Sequence, residues 1–380
     1  MSGSAAARSG IQAEDVITAW MPLDADGGRP SSPLPLRSPF DLVAVKLERI
    51  PSRGVALVGL RDGRSIEWRV STGVLGLTVR PTMIPAVLES YYRAETLKKS
   101  GDARQAAGIL KTAAQVSRDA RGATAAVWLL LTGADTLGGV RAFDEADALF
   151  GEAEQVAELL GEPTVRAEAH RQHGHMHRTS NQWKRASAEY AKALEIDASV
   201  APDGLAVATD RHLLGVIAYL RDDLDEAERQ YRQALALREA LAPASAEVAE
   251  SLNAMAGIRT ARSDLKDSQR LLARSVEIWK RLAPGTLYLA DAVHNLGVVA
   301  QELGELDRAE DQYRQALAIR ESTKPGGLEV ATSLNSLGLL QKDRGDLDQA
   351  EQYHRRALAI IERIAPGTWM VAQNSTISGS

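Results

Sequence analysis

Five prolines stand 41 residues apart, and the sequence between them repeats in register. They are Pro202, Pro243, Pro284, Pro325 and Pro366. Self-similarity at a fixed period of a few tens of residues indicates a stacked array, in which each unit buries its apolar face against its neighbours. The period therefore predicts one continuous array of repeats rather than two or three ordinary domains of a 380-residue chain.

Each unit has the pattern of two helices, here called helix A and helix B. In residues 325–365, helix A carries Leu334, Leu337 and Gln341 at the helical spacing i, i+3, i+7. A glycine recurs beside this stripe, although glycine inside a helix costs about 1 kcal/mol relative to alanine. We predict that it packs closely on a small residue of helix B. The residues are Gly174, Gly215, Ala256, Gly297 and Gly338 in helix A, and Ala186, Ala227, Ser268, Ala309 and Ala350 in helix B.

The start of helix B carries acidic residues that suit a helix N-terminus. Carboxylates there accept hydrogen bonds from free backbone N–H groups and interact favourably with the helix dipole. We predict caps at Asp225, Asp307 and Asp348, each followed three residues later by Glu228, Glu310 or Glu351.

The repeat resembles the tetratricopeptide repeat family, whose pattern has large residues, Gly, Ala and an aromatic residue at set spacings. One unit carries this pattern as Val293, Leu296, Gly297, Ala309, Tyr313 and Ala316. The 41-residue period, with LNSLG in helix A and AEQYHRRALAI in helix B, is similar to kinesin light chains and to bacterial arrays attached to caspase-like CHAT proteases. The resemblance implies a mainly α protein, a right-handed superhelix (α-solenoid) of about seven helix pairs.

The repeats predict three parts of the chain. Residues 1–80 form a β-rich segment, residues 81–365 the array, and residues 366–380 an incomplete eighth repeat. The predicted units are 84–120, 124–160, 164–201, 202–242, 243–283, 284–324 and 325–365. The last repeat stops inside helix A, which leaves open a C-terminal cap or, as we favour, a piece of a longer protein.

Residues 1–80 contain short alternating runs that predict strands, including Val55–Val58 and Ile66–Val70. Arg61-Asp62-Gly63-Arg64 between them predicts a tight hairpin turn. The segment resembles part of a bacterial PDZ domain, with SAAARSGIQAEDVITAW, SPFDLVAVKLERI and Leu75–Val79 in the places of its helix and strand, second helix and carboxylate loop. Either it holds a peptide-binding groove or it is a small structural cap.

Composition excludes several classes of function. The formal net charge of −5 lacks the basic excess of a nucleic-acid binder. The absence of cysteine removes disulfides and thiol nucleophiles and fits a reducing cytoplasm. No secretion signal or membrane span is evident, and the abundance of Ala, Arg and Gly is typical of a GC-rich bacterial source. We expect a bacterial cytoplasmic protein without nucleic-acid or membrane partners.

Three histidines invite a metal hypothesis. His170, His173 and His177 share one helical face, and imidazoles are common metal ligands. They occupy slots held elsewhere by core residues, and no carboxylate is committed to them in the sequence, so packed or hydrogen-bonded histidines are the preferred interpretation. No nucleotide, hydrolase or metalloprotease motif occurs. We therefore assign no catalytic residue, no cofactor and no metal.

The resemblance implies that a ligand lies along the concave side of the array, on helix A. The corresponding residues are Thr209, His212, Tyr219, Glu250, Asn253, Thr260, Asp291, His294, Gln301, Thr332, Asn335 and Lys342. Asn253 and Asn335 match an asparagine that can hold an extended peptide in kinesin light chain-like repeats, since an amide both donates and accepts. A solvated polar face without a ligand is the alternative.

These observations lead to a non-enzymatic interaction module that binds a peptide or a partner domain. The resemblance further implies a bacterial regulatory or sensor arm. The alternative is the repeat arm of a CHAT protease whose catalytic domain is absent from this chain. Neither the partner nor the oligomeric state follows from the sequence.

Overall fold

The computed structural model describes residues 9–13, 15–22, 33–36, 39–40, 55–70 and 79–364. Within these residues the chain forms four strands and fourteen helices. The strands are β1 (Val16–Pro22), β2 (Leu34–Pro35), β3 (Val55–Arg61) and β4 (Arg64–Val70). The helices are α1 (Pro85–Ser100), α2 (Ala103–Asp119), α3 (Ala123–Gly139), α4 (Phe143–Leu160), α5 (Pro163–Thr179), α6 (Trp183–Val200), α7 (Leu205–Leu220), α8 (Leu224–Leu241), α9 (Ala246–Ala261), α10 (Leu265–Leu282), α11 (Leu287–Glu302), α12 (Leu306–Thr323), α13 (Leu328–Arg344) and α14 (Leu347–Ile364).

The chain divides into two compact units, Met1–Pro243 and Ala244–Ser380. The first contains the sheet and α1–α8, and the second contains α9–α14. In each unit consecutive helices pack as pairs of a helix A and a helix B, seven in the described chain, and pairs that follow one another also pack together. The predicted mainly helical array of about seven helix pairs is confirmed.

Burial follows the helical stripe that the sequence indicates. In α13, Leu334, Leu337 and Gln341 are all buried, and the two leucines belong to one apolar core with Tyr313 of α12. An apolar face that is covered only by neighbouring helices requires the stack, because a single pair would leave it in water.

Every described turn between helix A and helix B contains one residue in the left-handed backbone conformation, at the same place in each repeat. In the fourth pair, Asp222 has φ 61°, its N–H donates to Tyr219 O, and the N–H of Asp223 donates to Ala218 O at 2.9 Å. This is a Schellman ending, which satisfies carbonyls that the helix leaves free. The left-handed residues are Gly101, Arg141, Asn181, Asp222, Ser263, Gly304 and Gly345.

The period prolines stand just after helix B. The residue before each of them has left the helical region, with φ between −144° and −148°. Proline disfavours the α conformation of the preceding residue, so it fixes the end of helix B. These residues are Ala201, Ala242, Ala283 and Lys324; Pro366 lies outside the described residues.

The predicted helix B caps are wrong by two residues. Asp223, Asp264 and Asp346 precede the helices, and their carboxylates accept from the backbone N–H three residues on, for example Glu226 N. Asp225, Asp307 and Asp348 lie inside the first turn, where they interact with the helix dipole instead. The leucine between cap and acid, such as Leu224, is already helical.

The prediction for the repeated glycine is also corrected. A Cβ atom on Gly215 would lie 2.6 Å from the Tyr231 ring, and one on Gly297 would lie 2.8 Å from the Tyr313 ring. The space of the missing side chain is therefore filled by the helix B aromatic residue and not by the small residue. The small residues are buried nearby, and in one pair Ser268 Oγ donates to Ala256 O at 3.0 Å.

The N-terminal strands form an antiparallel sheet in the order β2-β1-β3-β4, with three seven-residue strands and the two-residue β2. The predicted hairpin is confirmed: Arg61 pairs with Arg64, and Asp62 and Gly63 have φ of 50° and 75°. Asp15 and Arg61 form a two-point ion pair, with Nε to Oδ1 at 2.7 Å.

Several predictions fall on residues outside the described ranges. They include the PDZ-like second helix after Phe40, most of the loop at residues 75–79, and the incomplete repeat at residues 366–380. The PDZ-like interpretation and the boundaries of the three parts stay predictions.

Candidate partner-binding surface

The twelve predicted ligand-facing residues all lie on the first helix of a pair, and those that belong to one unit are called the helix A face of that unit below. Thr209, His212 and Tyr219 are on α7 of the first unit. In the second unit, α9 carries Glu250, Asn253 and Thr260, α11 carries Asp291, His294 and Gln301, and α13 carries Thr332, Asn335 and Lys342. Each helix thus presents the same three repeat positions.

The outer part of the helix A face is solvent-exposed. Tyr219 has 43 % of its surface exposed, and Glu250, Asp291, Thr332 and Lys342 are exposed as well. Acidic, basic, hydroxyl and aromatic side chains therefore reach solvent at corresponding positions. The hydroxyls of Thr209 and Thr332 donate to carbonyls of their own helices, at 3.0 Å each.

The two predicted peptide-holding amides already use their oxygen atoms. Asn295 Nδ2 donates to Asn253 Oδ1 at 3.0 Å, which ties α11 to α9. The Nδ1 atom of His354 lies 3.2 Å from Asn335 Oδ1, an oxygen that can only accept, so the ring donates. These bonds fix the amide planes, and the Nδ2 groups remain as donors.

The two histidines of the helix A face are packed more deeply than a ligand-facing residue would be. His294 is 9 % exposed, and its ring lies 5.2 Å from the Tyr313 ring. His212 lies at the same distance from Tyr231. Burial, with a smaller contribution from nearby Arg320, lowers the pKa of His294 to about 4. Both rings act as packing for the helix B tyrosine.

Polar contacts connect the helix A face to neighbouring pairs in the second unit. Gln301 accepts from Tyr313 Oη at 2.9 Å and donates to Asp343 of the next helix A at 2.5 Å. Asp291 accepts from the buried guanidinium of Arg320 at 2.7 Å, and Arg320 also donates to Ser333 at 2.7 Å. Neighbouring helices are thus held in fixed register beneath the exposed groups.

A second group of polar side chains lies inside the first unit, between α4, α5 and α6. His173 Nδ1 lies 2.7 Å from Glu154, and its Nε2 lies 3.0 Å from Asp147. His170 contacts Glu189 at 2.7 Å, and His177 Nε2 lies 3.3 Å from Asp147 Oδ1. We call Asp147, Glu154, His170, His173, His177 and Glu189 the histidine–carboxylate cluster.

The histidine–carboxylate cluster carries strong mutual interactions. Burial opposes charging of His170, but its hydrogen bonds to Glu154 and Glu189 outweigh burial and raise its pKa to about 9. Glu189 also accepts from Lys192 at 2.9 Å. The cluster therefore contains a charged network within the stack.

The prediction that the three histidines face the space between helices is correct, but their carboxylate partners were missed. The repeat register contains a signal for one of them. An acidic residue directly follows the repeated helix B alanine, as Glu310 follows Ala309, and its side chain contacts helix A of the next pair. Glu310 accepts a hydrogen bond from Gln341 at 3.3 Å. Asp147 follows Ala146 in the same way, and His177 holds the slot of Gln341.

The family of the chain follows from these repeats. The tetratricopeptide repeat family matches residues 165–240, 247–322 and 288–363, which together span more than half of the chain. The chain therefore belongs to the tetratricopeptide repeat family. No curated protein matches the sequence.

Solved structures resemble the chain at the level of the fold. BtubC (BKLC) from P. vanneervenii is 22% identical, with a TM-score of 0.52 over 57% of this chain and 90% of that one. A Rap protein complexed with competence and sporulation factor is 16% identical, with a TM-score of 0.52 over 73% and 77%. A STAND signal transduction ATPase with a tetratricopeptide repeat sensor, from Pyrococcus horikoshii, is 13% identical, with a TM-score of 0.57 over 76% and 43%.

Among the described helices, none combines the length and the apolar character needed to cross a membrane.

Proposed function

We propose that the chain is a non-enzymatic interaction module that binds a protein or peptide on the helix A face of its second unit. The observation that carries this proposal is the fixed amide at Asn253. Its oxygen is held by Asn295 at 3.0 Å, while exposed groups such as Glu250 flank it on the same helix. An amide whose orientation is set before binding loses little conformational entropy when its N–H₂ group meets a backbone carbonyl.

The same arrangement recurs on α13, where Asn335 is held by His354 and flanked by the exposed Thr332 and Lys342. Such a repeat suits an extended ligand, because backbone carbonyls that are well separated along a peptide can meet amides two helix pairs apart. The Rap protein that resembles the fold of this chain is complexed with competence and sporulation factor, which supports a peptide or protein as the class of ligand.

A regulatory or sensor role is the narrower form of the proposal. It is supported by the Pyrococcus horikoshii ATPase, which carries a tetratricopeptide repeat sensor. The alternative of a CHAT protease arm stays a prediction, as does the cytoplasmic location, which rests on the absence of cysteine.

The proposal is tested by affinity capture with the full chain as bait. Lys342→Glu reverses a charge on the helix A face, and Lys266→Glu makes the same change at an exposed position of α10, a helix B. We expect Lys342→Glu to reduce recovery of specific partners several-fold and Lys266→Glu to leave it unchanged, because charge complementarity acts where the ligand lies.

A second experiment tests the side-chain amides of Asn253 and Asn335. Asn253→Ala with Asn335→Ala should weaken binding of a recovered partner about three- to tenfold for each lost hydrogen bond, measured by fluorescence anisotropy. Thermal unfolding of both baits shows whether the array is intact. Equal recovery of the same partners by the original chain, the charge variant and the amide variant would remove the support for this face.

A further inference from the structure

Three ligand atoms from two helix pairs converge within the histidine–carboxylate cluster. Asp147 Oδ1, on α4, lies 3.0 Å from His173 Nε2 and 3.3 Å from His177 Nε2, both on α5. All three atoms lie within 4.8 Å of one another. The two histidines are four residues apart, a spacing that puts two imidazoles on one face of a helix toward a common ion.

These distances match those between ligands of one small cation. Zinc binds imidazole nitrogen and carboxylate oxygen at roughly 2.0–2.2 Å, so in a tetrahedral shell neighbouring ligand atoms lie about 3.3 Å apart. The 3.0 Å and 3.3 Å separations fall near this value, so the side chains can receive an ion with small movements. Two nitrogens and one oxygen suit zinc and similar first-row ions better than magnesium or calcium.

The surroundings hold the His173 ring in the orientation that ligation requires. Its other nitrogen, Nδ1, lies 2.7 Å from Glu154 Oε1, and its face stacks on Phe150 at 4.9 Å. A histidine that binds zinc through one nitrogen commonly donates the other N–H to a carboxylate, which fixes the tautomer and strengthens the ligand. The His177 ring stacks on His173 at 4.4 Å, so both Nε2 atoms face Asp147.

Charge and access also favour a cation here. Asp147, Glu154 and Glu189 bring three carboxylates to one side of α5. Arg185 Nη1 lies 3.7 Å from Asp147 Oδ1, and both side chains are partly exposed. The Asp147 side chain is 41% exposed, which gives an ion a route in and leaves one position to a water molecule.

We propose that Asp147, His173 and His177 bind one divalent transition-metal ion of the zinc type, with Glu154 supporting His173. Asp147 belongs to the second helix pair and the histidines to the third, so the ion connects two repeats. An ion that binds only the folded chain stabilises it by mass action. The site is thus a structural tie between repeats and is independent of the helix A face.

The test uses the full chain, purified without a histidine tag and treated with a chelator. Equilibrium dialysis against micromolar Zn²⁺, followed by elemental analysis, should give one ion per chain. Replacing Zn²⁺ by Co²⁺ should give the visible absorption bands of a tetrahedral nitrogen and oxygen site. Mg²⁺ and Ca²⁺ should not compete at equal concentration.

Variants separate this site from general histidine binding. Asp147→Asn and His177→Gln should each weaken Zn²⁺ binding at least tenfold, and Glu154→Gln should weaken it about 10- to 100-fold, as loss of a carboxylate that supports a ligand does. The matched control is His212→Asn, in a slot that Asn253 and Asn335 hold in other repeats, and it should not change binding.

Thermal unfolding of the original chain provides a measurement that does not depend on the variants folding. Zn²⁺ should raise the melting temperature by several degrees, and chelator should reverse the increase. The proposal is overturned if the original chain binds less than one ion at micromolar Zn²⁺ and shows no cobalt bands. Unchanged binding in folded Asp147→Asn and His177→Gln would overturn it equally.

Discussion

At the scale of the residue, one repeat position shows how the stack changes the chemistry of a side chain. One position of the repeat, ten residues after the period proline, is His212, Asn253, His294 and Asn335 in successive pairs from α7 to α13. In both histidine cases the ring packs 5.2 Å from a helix B tyrosine, and burial lowers the pKa to about 3 for His212 and about 4 for His294. A titratable group at this position is thus kept neutral by packing.

This shift makes the stability of the array depend on acid pH. Because the pKa of His294 is about 4 in the folded chain and about 6.5 when unfolded, the unfolded state binds more protons between these values. Its contribution to stability is complete above pH 6.5 and decreases as pH falls toward 4. We expect His294→Asn to lose less stability than the original chain between pH 7 and pH 4.5, by a few degrees of melting temperature. If the melting temperatures of the two proteins fall equally between pH 7 and pH 4.5, His294 is not the cause of the acid dependence.

At the scale of the element, the turn between helix A and helix B contains the most regular feature of the fold. Each described turn requires one left-handed residue, yet four of the seven are not glycine: Arg141, Asn181, Asp222 and Ser263. Outside glycine, a left-handed residue costs roughly 1–2 kcal/mol, somewhat less for Asn and Asp. The Schellman hydrogen bonds compensate for this strain, since they satisfy helix carbonyls that would otherwise need water.

The turns offer a reciprocal pair of substitutions. Ser263 has φ 61° and is exposed, so Ser263→Gly should raise stability by about 0.5–1 kcal/mol. Glycine removes the backbone strain, and part of that gain is offset because glycine has more conformational entropy in the unfolded chain. Gly304 holds the same place in the next pair, with φ 77° and no atom within 4 Å of a Cβ. Gly304→Ser should therefore lower stability by a similar amount, through backbone conformation alone. Thermal melting of both variants measures the two changes, and changes of the same sign would refute the explanation.

Helices and hairpin were predictable from the sequence because their signals are local or periodic. The stripe of Leu334 and Leu337 and the turn at Asp62-Gly63 each specify their own structure. Contacts between elements were less predictable. The sequence predicts a cap at Asp225 instead of Asp223 because several acids surround the start of helix B, and only the backbone geometry identifies the one that caps.

The candidate sites show the same limit. Repeat register placed His173 between helices correctly, but its partners Asp147 and Glu154 come from the preceding pair, 26 and 19 residues away. The recurrence of small residues in both helices predicts that Gly215 packs on Ala227, whereas the Tyr231 ring lies over Gly215. A repeated sequence shows which residues occupy equivalent positions. It does not show which side chains of the neighbouring helices they contact.

At the scale of the whole molecule, each pair packs on those next to it within its unit, and contacts between pairs are made repeat by repeat. Arg320 is an example, since it joins α12 to Asp291 of its own pair and to Ser333 of the next. The stability of such an array is approximately a sum of repeat and nearest-neighbour terms, so it need not unfold as one cooperative body. Destabilisation of one pair should then also destabilise the adjacent pairs, and the effect should decrease with distance along the chain.

Gly297→Ala should destabilise one defined pair, α11–α12. Its Cβ would lie 2.8 Å from the Tyr313 ring, and displacement of the ring should cost about 1–3 kcal/mol. Hydrogen exchange measured by mass spectrometry should then increase most in α11 and α12 and less in the adjacent pairs α9–α10 and α13–α14, while α3 and α4 of the first unit keep their protection. The matched control is Gly297→Ala with Tyr313→Leu, which reproduces the combination of Ala256 and Leu272 in the preceding pair and should restore part of the protection. A uniform increase in exchange in both units would show instead that the molecule unfolds as one body, because only a globally cooperative chain transmits a single steric clash to every repeat.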